Sequence, residues 1–548
     1  METRKYLLLR PVHLIVRRVA PFLVAATLLV ASAPAAGSCP STADAAGFAS
    51  TARLLRDNRV MAGFGQRPSG SPNQGRFIAW LQERLARIPG MRLDSLPYAI
   101  NRWDFDGAAL SAGGAQVALA GPVPYARPTA AGGATGKLVY VPVGTALTDG
   151  SLKDKIVVRE ATPGSVPFAA FKAVEWFEWD PDGTLAQDAA SSYERDFIGY
   201  NQRVTDLQDA AKAGAAALVF VHDFPRRQVR DQYAPYEGTR WGVPAVYVGA
   251  DEGQRLKHLA AEGASATLKL AASDTRAATP TVIATLPGTG DERFVIESHT
   301  DGMNAIWDNG PIAILALARY FAQQPLECRP RTLQFVLTTG HLYQRLTGGA
   351  DRGGGAEQFA KRLDEDYDNG TVALVFTIEH LGAREYSAGP RNDGGPGRVL
   401  EATGRSEPST MFAGESPTLI AAIAEALIRR DVRRSYLLRG SDVPAAKIPV
   451  HNSFGGEGTE YQQHLLPAVS LVTGPWTLYN PAFGMEAIDG ALMRKQALVF
   501  ADLVQGLAGT PSQLIAGAYT GYRGARAGLC AAGLGTLGLT RCEGDPYG

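Results

Sequence analysis

The sequence predicts an α/β protein built on one mostly parallel sheet with helices on both faces. Three observations carry this. From Thr281 onward, short apolar strands alternate with helical segments, the pattern of a parallel sheet closed by crossover helices. Within that stretch, Phe294 to Phe321 reads as a strand, a polar loop and a helix opened by Pro311, a residue well placed in a first helical turn. Before it, residues 130–279 have a different texture, with short strands and two helices of their own, so an inserted unit is expected.

The elements follow in chain order. Arg4, Lys5, Arg10, Arg17 and Arg18 precede an apolar run from Val19 to Ala33 and then the small residues Ala35-Ala-Gly-Ser38. Basic, apolar, small is the order of a secretory signal peptide, expected over 1–37. The run is short for a membrane span, and a retained N-terminal anchor is the alternative. The protein is therefore expected outside the cytoplasm, with no membrane span once the signal is removed. Residues 45–129 form the first part of the main domain. They read as helix, polar turn cluster (Gly63–Asn73), helix and strand, the second helix carrying Phe77, Ile78, Leu81, Leu85 and Ile88 at helical spacing and stopping at Pro89-Gly90. In the inserted block 130–279, Lys137–Val141, Lys155–Val158, Ala217–Val221 and Val243–Val248 read as strands, with helices at Leu207–Ala213 and Gln254–Ala261. Residues 280–507 carry the main sheet: strands at Phe294–Glu297, Thr332–Thr338, Val372–Ile378 and Ala468–Val472, helices at Pro311–Gln323, Thr418–Arg429 and Met493–Gly506. The tail 508–548 is rich in Gly and Ala and is expected to loop around a disulfide. Four cysteines, an even number in an exported chain, favour disulfides. Cys530 and Cys542, close in sequence, are the expected pair, leaving Cys39 with Cys328.

Composition narrows the function. Lys plus Arg and Asp plus Glu each number 54 among 548 residues, so no global charge points to nucleic acid. The chemistry concentrates in one place. The strand at Phe294 runs out into His299-Thr-Asp301, and a short loop leads to Asp308-Asn-Gly310 at the start of a helix. Sites in open α/β sheets form beyond the carboxyl ends of strands. Imidazole and carboxylate are both good zinc ligands, and Asp301 is placed to orient the His299 ring. The plainer alternative is a hydrogen-bonded loop histidine and a helix cap at Asp308.

This segment resembles the zinc aminopeptidase family that includes leucyl aminopeptidases and glutamate carboxypeptidase II. The likeness extends to Gly65–Ser71, Arg331–Phe335 and Leu466–Leu471. In the middle block, Asp209–Phe220 and Val243–Val248 look like a protease-associated domain, a frequent insertion in that family. The resemblance implies a three-layer αβα aminopeptidase-like domain with a mostly parallel mixed sheet, interrupted by a β-rich insert that covers the site or binds a partner. It also implies two zinc ions, five zinc-binding side chains and one catalytic glutamate. His299 and Asp308 match two ligands, Asp308 as the bridging carboxylate. Where an adjacent Glu-Glu pair is expected, the sequence has His341 and Leu342. Leucine cannot bind zinc, whereas histidine can serve as the base. Glu379 stands in for an aspartate ligand, with His380 beside it. Tyr479 occupies the place of the last histidine and is a candidate substrate contact. Glu457, in a Gly-rich loop, either contributes an oxygen or is a solvated loop residue. His299, Asp308 and Glu379 suffice for one zinc with open positions. A second would need His341, His380 or Glu457. The expected activity is zinc-dependent hydrolysis of a peptide or other amide. The alternative is a catalytically inactive relative that binds without turnover.

Overall fold

The computed structural model describes residues 39–148, 150–236, 240–342, 354–442 and 451–533. The expected signal segment and Cys542 lie outside them. From Pro40 onward the chain forms one compact unit.

At its centre four parallel strands lie in the order Thr332–Thr338, Arg293–His299, Val372–Ile378 and Ala468–Val472. Their sequences are runs of Val, Ile, Leu and Phe, as expected of strands covered on both faces. Val372–Ile378 is buried along its whole length. Alternation sorts its neighbour's side chains between two cores. Phe294 and Ile296 pack with the helices Thr51–Gly63, Pro72–Ala86, Gly310–Ala322, Pro417–Arg430 and Gly490–Gly506. Val295 points the other way, toward Phe359, Ala360 and Leu363 of Gly355–Asp368. Helices therefore cover both faces. Gly310–Ala322 is apolar nearly all round and almost wholly buried, so it is an internal crossover rather than a surface helix.

The sheet continues into the middle block. Arg92–Ala112 and Ser265–Leu286 form a long antiparallel ribbon, in register from Arg92 with Thr285 to Ala112 with Ala266 and bulged between Phe105 and Gly107. One end of Ser265–Leu286 pairs with Thr332–Thr338, the other with Ala134–Tyr140. Beyond it lie the parallel strands Ile156–Ala161, Ala217–His222 and Ala245–Val248, whose hydrophobic core also takes in Trp307, Leu342, Trp476 and Tyr479 of the main domain. The expected boundary at 279/280 thus falls inside a single strand. Its middle is Ala, Ser, Asp, Thr and Arg, exposed on both faces, so it shows no alternation of apolar and polar residues.

The tail differs from expectation too. Its described part forms the helices Ser512–Ala516 and Tyr519–Ala531 instead of loops. Arg526 grips Asp364 through two bonds of 2.8 Å, and Arg523 donates to Asp368 at 3.0 Å and to the His464 carbonyl at 3.0 Å. These charged anchors carry no apolar periodicity for a sequence reading to find. Cys39, Cys328 and Cys530 are all disulfide-bonded.

His222, at the end of Ala217–His222, is buried, and its Nε2 has no hydrogen-bond partner. Burial, helped by the nearby Arg203 charge, pushes its pKa from 6.5 down to about 4. The unfolded chain therefore takes up this proton first as pH falls below 6.5, and stability drains away toward pH 4. Unfolding free energy should drop by about 2–3 kcal/mol through this residue between pH 7 and 4.5. Denaturant titrations at both pH values check this: His222→Gln should flatten the acid loss by that amount.

Candidate metal centre

The four central strands end side by side, and the chain beyond each end supplies polar side chains. His299 closes its own strand, Thr339–His341 follow Thr338, Glu379 and His380 follow Ile378, and Thr473 follows Val472. Gln74, from Pro72–Ala86, ties two of these ends together by donating to Thr300 Oγ1 at 3.1 Å and Thr339 Oγ1 at 2.9 Å.

His299, Glu379 and His380 converge. Glu379 Oε2 lies 3.6 Å from His299 Nε2 and 3.7 Å from His380 Nε2. All three residues are buried, and none of these three atoms has a hydrogen-bond partner. Backbone carbonyls fix both rings. His299 Nδ1 donates to the Asp301 carbonyl at 2.7 Å and His380 Nδ1 to the Thr473 carbonyl at 2.6 Å. With Nδ1 so bonded, Nε2 of each ring faces the carboxylate, the orientation in which metal-binding histidines are held once Nε2 carries no proton. Unpaired buried polar atoms are costly. Here three of them lie within 4.8 Å of one another, and the donor set of two imidazoles and a carboxylate suits a zinc ion.

Electrostatics favour a positive charge at that point. Burial opposes the ionised Glu379, yet the imidazoles of His299, His380 and His341 outweigh it and hold its pKa below the usual range. Burial likewise opposes a charged His299, but Asp301 and Glu379 raise its pKa well above 6.5. Burial lowers that of His380 to about 4, so this ring stays neutral and available as a ligand.

His380, a possible additional ligand by sequence, would diverge from Glu379 had the strand continued, since adjacent strand residues point to opposite faces. The strand has already ended at Ile378, and His380 takes a left-handed φ of 54° that turns its ring back. Glu457 also departs from the picture of a solvated loop residue. It is buried, donates its backbone N–H to Glu379 Oε1 at 2.7 Å, and accepts from His341 Nδ1 at 2.6 Å. Gly456 makes this possible. Its φ is +58°, and a Cβ there would stand 2.3 Å from Glu379 Oε1. His341 stacks on His299 with ring centroids 4.3 Å apart.

Asp308, expected as the bridging ligand, is not part of this group. Both its oxygens are taken by Arg67, Nη2 to Oδ1 at 2.5 Å and Nε to Oδ2 at 2.7 Å, and both side chains are wholly buried. Arg67 also donates to the carbonyls of Met61, Gly65 and Asn304. The guanidinium supplies the positive charge that a second ion would otherwise bring to this carboxylate.

The Asp301 side chain lies 3.6 Å from His299 Nδ1, so the backbone carbonyl rather than the carboxylate orients the ring. Its Oδ2 accepts from the backbone N–H groups of His341 and Leu342, at 2.8 and 3.0 Å, and from Ser69 Oγ. Asp301 thereby sets the loop that carries His341. Tyr479 packs among aromatic rings, 4.8 Å from Trp307 and 5.2 Å from Tyr236, and Tyr236 stacks on His341 at 5.4 Å. Sequence reading assigns Arg67, Ser69, Gln74 and Tyr236 no role at the site, although Arg67 and Ser69 lie in the stretch Gly65–Ser71 that carries part of the resemblance. The first three sit in or beside the polar cluster Gly63–Asn73, where an arginine reads as solvated.

No protein-family model matches the sequence, and no curated relative matches it. Solved structures do match. A Peptidase M28 precursor from Shewanella amazonensis SB2B aligns over 84% of this chain and 94% of its own, with TM-score 0.57 and 16% identity. BSAP, a zinc aminopeptidase from Bacillus subtilis, aligns over 85% and 95%, with TM-score 0.56 and 14% identity. An aminopeptidase from Aneurinibacillus sp. strain AM-1 aligns over 83% and 94%, with TM-score 0.50 and 17% identity. The fold is that of zinc aminopeptidases.

Proposed function

We propose that this chain is a secreted zinc-dependent amide hydrolase acting on peptides, with one ion held by His299, Glu379 and His380 and with His341 as proton acceptor. The observation that carries the reading is the convergence of three buried, unpaired ligand atoms at the ends of the parallel strands. The aminopeptidases that share the fold support a peptide substrate. Disulfide-bonded cysteines support an oxidising compartment, and no helix among the described residues is long and apolar enough to cross a membrane.

Zinc in this place would polarise a substrate carbonyl and acidify water. The protein's own contribution is proton handling. With Nδ1 bonded to Glu457, the neutral His341 ring has its basic lone pair on Nε2, and the Glu457 carboxylate stabilises the imidazolium formed when a proton arrives. Asp301 fixes the backbone of His341, so the acceptor is placed before substrate enters. The middle lobe brings Tyr236 against His341 and so limits access to it. It is best read as a protease-associated insert covering the site.

The test is metal content together with turnover of aminoacyl and acyl-peptide anilides. About one equivalent of zinc and zinc-dependent release of product are expected. Glu457→Gln should lower kcat by about 10–100-fold with little change in KM, the usual cost of removing a partner that orients a functional histidine. An unchanged kcat would exclude His341 as the acceptor. Leu342 and Tyr479, at positions where the resemblance calls for zinc ligands, favour a second reading, a binding protein without turnover. Stoichiometric zinc with no hydrolysis of any of these substrates would establish that reading instead.

A further inference from the structure

Away from the metal centre, the helices Thr51–Gly63, Pro72–Ala86 and Gly310–Ala322 border a cleft of about 330 Å³. Arg53, Arg84, Arg87 and Arg319 line it, over a floor that includes Ile88 and Pro89. Four guanidinium groups in one cleft are unusual in a chain whose basic and acidic residues balance at 54 each. Arg319 has a partner in Asp57 at 3.2 Å, and Arg87 has one in Glu83. Arg53 and Arg84 have no carboxylate partner among the described residues.

Helix dipoles explain part of this. Arg84 lies in the last turn of Pro72–Ala86 and Arg319 in the last turn of Gly310–Ala322, where a cation complements roughly half a negative charge. Arg53 has no such reason. It stands in the first turn of Thr51–Gly63, which holds no acidic residue and is the positive end. Arg84 is held in place by stacking over Trp80, 4.3 Å from the ring centroid, while its buried Nε has no hydrogen-bond partner. Burial and the neighbouring charges of Arg53 and Arg84 lower the pKa of Arg319, a sign that positive charge is crowded here.

We propose that this cleft binds the phosphate group of a small phosphorylated molecule. Planar guanidinium forks match phosphate oxygens in pairs, and several lining one cleft favour a multivalent oxyanion over a single carboxylate. The volume exceeds that of a phosphate ion, and Ile88 and Pro89 offer an apolar surface to whatever carries it. A lipid headgroup would present the same chemistry, so the test has an arm for it.

The full chain is titrated calorimetrically with inorganic phosphate and with glucose 6-phosphate, at ionic strength fixed with chloride. The protein is also sedimented with phosphatidylglycerol vesicles. Both phosphate probes are expected to bind, and Arg53→Gln with Arg84→Gln to weaken them at least tenfold while leaving anilide hydrolysis and far-ultraviolet dichroism unchanged. Arg53→Gln alone, at an exposed position, keeps the comparison available if the double variant folds poorly. Phosphate no better than chloride, or binding unaffected by these substitutions, overturns the site. Binding to vesicles but to neither soluble probe overturns the small-molecule assignment.

Discussion

His299→Ala should strip the protein of its metal and lower kcat/KM for anilide hydrolysis by at least about 100-fold, more than the loss of a residue that merely orients a ligand. The size of the effect follows from geometry. Glu379 Oε2 is the atom shared by both imidazoles, 3.6 Å from one and 3.7 Å from the other. Without His299 only one nitrogen and one carboxylate remain, too few for a catalytic zinc. The cost to the fold should be a few kcal/mol, because truncating this wholly buried ring removes its hydrogen bond to the Asp301 carbonyl, its stack on His341 and the imidazole beside Glu379. Zinc content measured beside thermal unfolding separates the two. A folded variant that keeps a full equivalent of zinc would remove His299 from the site. His380→Ala should weaken zinc binding in the same way, and that result would show that the left-handed turn at His380 serves the metal.

The second large effect is on stability. Arg67→Met leaves Asp308 charged, wholly buried and unpaired, which should cost about 3–5 kcal/mol of unfolding free energy. Arg67→Met combined with Asp308→Leu should recover most of this, since an apolar pair of similar volume avoids the burial of a lone charge. Denaturant titration of the two single variants and the double variant, with and without chelator, measures the coupling. If Asp308 instead holds a metal ion, Arg67→Met would cost little in zinc and much more after chelation. That outcome would return Asp308 to the metal site. The expected result, equal cost in both conditions, fits a single-ion centre whose second charge is built into the chain.

Much of the sheet was legible because buried parallel strands are continuous apolar runs. Thr332–Thr338, Val372–Ile378 and Ala468–Val472 lie where their composition placed them. Ser265–Leu286 was not legible, since a ribbon exposed on both faces has no apolar side to show. At the site, His299 and Glu379 could be placed because each follows directly from a strand end. His380 and Glu457 could be named only as possible additions. The first depends on a backbone turn of the wrong hand for most residues, the second on a glycine loop folding back from far along the chain. Arg67 shows the same limit from another side. A charged residue in a turn cluster reads as surface, and only its distant partner, 241 positions away, reveals that it is buried.

The ribbon Arg92–Ala112 and Ser265–Leu286 also bears on how such a molecule can be assembled and altered. The chain leaves for the middle lobe at Ala112 and returns at Ala266, and these two residues face each other across one rung of the ladder. The ribbon thus closes the mouth of the inserted stretch, and the lobe is tied to the core elsewhere too: Glu175–Trp179 pairs with Ser435–Leu438, and Arg195 grips Glu407. Because the entropy of closing a loop rises only with the logarithm of its size, about 150 extra residues burden the core by only a few kcal/mol more than a short turn would. Its exposed turns can change length at little cost, but exchanging the whole lobe would strip the main sheet of an edge strand and leave Glu407 buried without Arg195. A chimaera joining Ala112 to Ala266 through a two-residue turn would likewise leave Ser435–Leu438 as an open sheet edge and Glu407 buried without a cation.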